Sequence, residues 1–159
     1  MRTATAWFDL YGASHQNKTN KLIHWICIPA ILLASLGLVQ AIPHPFGAVP
    51  GLHWASICWA VCLVFYATLS WTVFAGMLLW GAAFMALNAL IASTGVSLAA
   101  VSAGIFALAW AAQFYGHKVE GKKPSFFQDV QFLLVGPAWL LQFVYQRVGI
   151  PVETRPVRA

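Results

Sequence analysis

Four stretches of this chain, residues 22–42, 52–69, 72–94 and 96–115, contain no Asp, Glu, Lys or Arg. Each is close to the ~20 apolar residues that cross a bilayer core as a helix. Only 8% of the residues are charged and 60% are hydrophobic, whereas a soluble domain is about a quarter charged. The pattern predicts an all-α polytopic protein, a single integral membrane domain with four transmembrane helices.

The basic residues sort the topology. Arg2, Lys18 and Lys21 precede the first apolar stretch, Lys118, Lys122 and Lys123 follow the fourth, and Arg147, Arg155 and Arg158 close the chain. The connections near 43–51, 70–72 and 93–96 carry none. Four crossings return the chain to its starting side, and the positive-inside rule puts both termini in the cytoplasm. The expected host is a bacterial inner membrane or the endoplasmic reticulum. Residues 1–21 are polar and mixed, which predicts no cleavable signal peptide.

Several boundaries have visible causes. Pro43, Pro45, Gly47, Pro50 and Gly51 end the first span. Residues 52–94 are too long for one crossing, which demands a tight hairpin near Ser70–Gly76. Ser93-Thr94-Gly95 supplies the next turn. The segment 125–148 is apolar but contains Asp129, Gln131, Gln142, Gln146 and Pro137. A fifth crossing would carry Arg147, Arg155 and Arg158 outside, so we expect a broken helix, interfacial or re-entrant, on the cytoplasmic side. Cys27, Cys58 and Cys62 fall in apolar stretches and are expected as small buried residues. Trp25, Trp54, Trp71, Trp110 and Trp139 sit near segment ends, as interfacial anchors do. A net charge of +5 suits an anionic leaflet of membrane lipid, and no nucleic-acid motif is present.

Polar residues collect in two stripes at the cytoplasmic face. Asn17, Asn20 and His24 are spaced i, i+3, i+7 and share one helix face. Tyr11 and His15, spaced i, i+4, share another. His15 and His24 lie nine residues apart, about 900° around an ideal helix, so one site for both demands a break between them. At the end of the fourth stretch, Gln113, His117 and Glu120 repeat the i, i+4, i+7 spacing, and Gly116 permits close helix approach. Imidazole and carboxylate are the ligands of a mid-row metal such as Fe(II) or Mn(II) with positions left open. Neighbouring amides fix ring orientation. His44 and His53 lie at the opposite face and read as structural.

The pattern Tyr11…His15-x-Asn17-x-x-Asn20-x-x-x-His24…Pro29, followed by Gln113-Phe-Tyr-Gly116-His117-x-x-Glu120-Gly-x-x-Pro124, resembles the Mpo1-like 2-hydroxy fatty acid dioxygenase family. The likeness spans nearly the whole chain. It departs near the third span, where the family commonly carries Asp-Pro before a Gly and this chain reads Ser70-Trp71-Thr72-Val73-Phe74-Ala75-Gly76. The resemblance implies an Fe(II)-dependent enzyme of fatty acid α-oxidation. Its substrates would be a long-chain 2-hydroxy fatty acid and O₂, and its product a fatty acid one carbon shorter. By position, His15, His24 and His117 would be metal ligands, Glu120 a fourth ligand or an outer base, and Asn17, Asn20 and Gln113 orienting groups. The alternative is a non-catalytic small transporter or scaffold. Against it, the spans lack the mid-membrane charges that mark a substrate pathway. Five histidines are too few for the clustered boxes of a membrane di-iron hydroxylase.

Overall fold

A computed structural model of the protein describes residues 3–46, 49, 51–123 and 131–152. The expectations resting on Arg2, Gly47, Pro50, Pro124, Asp129, Arg155 and Arg158 lie outside these residues. Among the described residues there are six helices: α1 (Ala4–Gly12), α2 (Lys18–Gln40), α3 (Trp54–Leu69), α4 (Trp71–Ser93), α5 (Leu98–Glu120) and α6 (Phe132–Val148). No strand is present among them.

Local chemistry sets the helix ends. The Asn17 side chain caps α2 by accepting from Thr19 N at 2.8 Å and Asn20 N at 3.4 Å. His53 caps α3 through Nδ1, which accepts from Ser56 N at 3.1 Å, so its role is structural as expected. Ser70, in extended backbone, ends α3 and caps α4. The predicted hairpin is thus one residue wide, and Gly76 lies inside α4 against Tyr145 rather than in the turn. Gly121 and Gly149 end α5 and α6 in the left-handed region, at φ 73° each.

Helices α2, α4 and α5 have 23 residues each and are long and apolar enough to cross a membrane. At 1.5 Å per residue they reach about 34 Å. Helix α3 has 16 residues and reaches about 24 Å. The most extensive pairing is α2 with α5, and glycine brings them together at both ends. A Cβ on Gly37 would stand 2.2 Å from Ser102 Oγ, and one on Gly116 2.4 Å from Asn20 Oδ1. Beside Gly37, the buried Asn88 of α4 donates from Nδ2 to Leu33 O at 3.1 Å. We expect Gly37→Ala to lower stability by about 1–2 kcal/mol through overpacking, measured by thermal unfolding in detergent. Ser102→Ala in the same chain should restore much of the loss, because it removes the clashing oxygen.

Helix α6 corrects one expectation. It is a single helix through Pro137, not a broken one. Pro137 is the sixth helical residue, so it removes only the donor to Leu133 O, while Leu134 O accepts from Tyr66 Oη at 2.8 Å. Its first half packs on α1: Trp7 meets Phe132 edge-on at 5.3 Å between ring centroids, and Tyr11 meets Trp139 at 5.3 Å. Trp139 is therefore buried core rather than an interfacial anchor, whereas Trp25, Trp54 and Trp71 are exposed. Among the cysteines, Cys27 is buried as expected, but Cys62 is only half-buried and Cys58 is exposed; both line a cavity rather than a packed contact.

Candidate metal centre

The break demanded between His15 and His24 is the turn at residues 13–17. It separates α1 from α2 and brings His15 against His24 in the second turn of α2. His15 and His24 are fully buried and His117 is nearly so. Their ring centroids form a tight triangle, with sides of 4.3 Å (His15–His24), 4.9 Å (His24–His117) and 5.1 Å (His15–His117). One ligand nitrogen from each lies within 4.8 Å of the other two.

The tautomers follow from the hydrogen bonds. His15 Nδ1 stands 2.6 Å from Tyr11 O, and His24 Nδ1 2.9 Å from Asn20 O. A carbonyl oxygen only accepts, so each Nδ1 carries a proton and donates. Each neutral ring then presents an unprotonated Nε2, and these two nitrogens face each other at 2.9 Å. Two lone pairs at that distance repel unless a cation lies between them. Nitrogens bound to one metal at ~2.1 Å and ~90° apart stand ~3.0 Å from each other. His117 Nδ1 is buried with no hydrogen-bond partner. This donor set fits a divalent metal.

Burial lowers the His15 pKa to about 4, with the Tyr11 carbonyl pulling the other way. The ring is therefore neutral at pH 7, as a ligand must be. The folded protein refuses a proton that the unfolded chain accepts near pH 6.5. Stability from this group is full above that pH and is lost between about 6.5 and about 4. We expect the metal-free protein to melt at a lower temperature at pH 5 than at pH 7.5, and His15→Asn to flatten that slope.

Glu120 does not reach the three histidines with a free oxygen. Its Oε1 accepts from Gln16 N at 2.8 Å, and its Oε2 from Asn17 N at 2.8 Å and Asn20 Nδ2 at 3.1 Å. The carboxylate ties the turn carrying His15, and the start of α2, to the end of α5 that carries His117. Lys122 adds a second tie, donating from Nζ to Ala13 O at 2.6 Å. Asn17 acts as helix cap, and Asn20 bonds to Glu120 through its side chain and to His24 through its carbonyl.

Gln113, one turn before His117, is buried at the wall of a cavity of about 380 Å³. His24, His117 and Tyr11 stand at the same end, and the remaining wall is mostly apolar. Sequence reasoning placed Tyr11 on one face with His15 and missed Trp139. Tyr11 stacks on His15 at 4.1 Å with planes 14° apart, and Trp139 approaches His15 at 5.6 Å. The i, i+4 spacing of Tyr11 and His15 carried the first signal. Nothing local carried the second.

The fold and the cluster define an all-helical protein with long apolar helices and a buried three-histidine site able to hold a metal. The family model described as 2-hydroxy-palmitic acid dioxygenase Mpo1-like matches residues 1–148, and the chain belongs to this Mpo1-like family. No curated protein and no solved structure matches the chain.

Proposed function

We propose that this chain is an Fe(II)-dependent dioxygenase that converts long-chain 2-hydroxy fatty acids and O₂ to fatty acids one carbon shorter, with the carboxyl carbon leaving as CO₂ and water as the remaining product. The observation that carries the proposal is the pair of Nε2 atoms facing each other at 2.9 Å, joined by His117, in a chain of this family. We place it in the membrane with four spans, α2 to α5, and both termini cytoplasmic. Helix α3 is the short crossing.

His15, His24 and His117 hold the metal. Bound there, Fe(II) supplies redox chemistry toward O₂ and positions open to substrate oxygens. The Tyr11 and Asn20 carbonyls keep the His15 and His24 protons on Nδ1, so both Nε2 atoms stay available. Glu120 is a positioning residue: with its oxygens engaged by three N–H groups, it fixes the distance between the His15 turn and α5. Asn17 and Asn20 complete that tie. Gln113 makes no hydrogen bond among the described residues and faces the cavity, where its amide can meet the carboxylate or hydroxyl of a substrate. Tyr11 presents its ring to His15 and borders the same space.

The test is O₂ uptake by Fe(II)-loaded protein with three 16-carbon acids. The 2-hydroxy acid should drive uptake with matched release of the 15-carbon acid. The 3-hydroxy and unsubstituted acids should not. Equal uptake with all three, or none with any, contradicts the proposal. Gln113→Leu should raise KM for the 2-hydroxy acid about tenfold or more, the cost of losing a hydrogen bond to a charged group, with bound iron unchanged.

A further inference from the structure

The cavity beside the histidines has one polar end and a long apolar body. His24 and Val39 both line it, fifteen residues apart on α2, which is about 22 Å along the helix axis. Ser35 lies between them, and Cys58 and Phe106 face them from α3 and α5. The connection from α2 to α3 lies at the end away from the histidines. Cys58, one turn into α3, therefore marks that far end. Helices α3 and α5 each pack on α2 but make little contact with each other, so the cavity occupies the gap between them. Exposed Cys58 sits at that gap.

We infer that this cavity is the acyl-chain site and that its length along α2 sets the chain length accepted, with Ser35 and Val39 as the gauge. The inference rests on the function proposed above for the head-group end. The occupant follows from what the wall offers. The Gln113 amide stands at one end beside His24 and His117, the proposed metal ligands, and apolar side chains line most of the rest. A single-tailed acid with its polar group at the histidines matches both. A saturated chain with C–C bonds of ~1.5 Å advances about 1.25 Å per carbon, so about 22 Å holds roughly 17 carbons. The volume of about 380 Å³ lies in the range of small-ligand pockets. Because the chain arrives from lipid, apolar burial itself discriminates little between lengths. Discrimination comes from the fit of the chain against Ser35 and Val39, which line the cavity and where overpacking is costly.

Two substitutions move the gauge in opposite directions. Ser35→Phe blocks the cavity about 16 Å from His24. We expect the ratio of kcat/KM for the 18-carbon to the 12-carbon 2-hydroxy acid to fall about tenfold or more. Val39→Ala extends the cavity, and the 20-carbon to 16-carbon ratio should rise. Opposite shifts cannot come from general destabilisation. A readout free of turnover uses the native thiols. In nanodiscs, hexadecanoic acid should slow alkylation of Cys58 by phenylmaleimide about tenfold, and hexanoic acid, too short to reach, should not. Unchanged length ratios in both variants, or equal Cys58 protection by the two acids, overturn the inference. Protection of Cys58 by hexadecanoic acid without turnover of any 2-hydroxy acid supports the cavity and contradicts the proposed reaction instead.

Discussion

His117→Ala protein purified after anaerobic Fe(II) loading and desalting is expected to retain essentially no iron, against about one per chain in the wild type. Among the described residues, the clustered ligand candidates are these three imidazoles. If apparent site energies of ~10–16 kcal/mol divide among a few ligands, losing one weakens binding on the order of a thousandfold. Turnover should vanish with the metal. The fold should survive, because His117 Nδ1 makes no hydrogen bond that the substitution could break. We expect the metal-free variant to lose no more than ~2 kcal/mol, the low end of the cost of emptying a buried site. Metal analysis beside thermal unfolding checks both halves. A variant that keeps its iron would remove His117 from the ligand set.

The second large effect is expected at Glu120. Glu120→Ala leaves Gln16 N, Asn17 N and Asn20 Nδ2 without their acceptor. The two backbone donors lie at the surface and recover water, so the stability loss is about 2 kcal/mol rather than the sum of three charge-assisted bonds. The functional loss is larger than that suggests. With only the Lys122 tie left, the 13–17 turn holds His15 Nε2 less firmly opposite His24 Nε2. Iron affinity should fall ~10- to 100-fold, as for other groups that orient ligands from outside the ligand set. Glu120→Gln should lie between, because its amide nitrogen would face a donor. Iron titration followed by metal analysis measures the series. If Glu120→Ala loses iron as completely as His117→Ala, the carboxylate is itself a ligand, and the positioning role assigned to it fails.

The sequence made some of this legible for stated reasons. Long uncharged runs identified the helices because lipid-facing segments tolerate no unpaired charge. The i, i+4, i+7 spacing of Gln113, His117 and Glu120 put them on one face of α5, and the 900° between His15 and His24 required the turn that the structure places at 13–17. Gly116 was readable as a close-approach site, and Asn20 is what approaches it. Other features depend on contacts between distant segments. The spacing of Glu120 matches a metal ligand and equally a tie to the turn more than 100 residues earlier, and only the three N–H donors, which no spacing reveals, favour the tie. Trp139 reads as an interfacial anchor until α1 covers it. Pro137 reads as a helix breaker, but near the start of a helix it leaves only one carbonyl without its donor. Asn88 and Gly37 look unremarkable in a row of apolar residues, yet they meet Ser102 in the interior.

We propose that three histidines hold iron at the head of an acyl site and direct O₂ to a 2-hydroxy acid. The most direct test is product analysis with isotopic oxygen. Fe(II)-loaded protein would be given 2-hydroxyhexadecanoic acid under ¹⁸O₂, and the acids extracted for mass spectrometry. The expected product is pentadecanoic acid carrying ¹⁸O in its carboxyl group, formed by wild type and not by His117→Ala. Unchanged substrate from wild-type protein with iron bound, or pentadecanoic acid free of ¹⁸O, would contradict it.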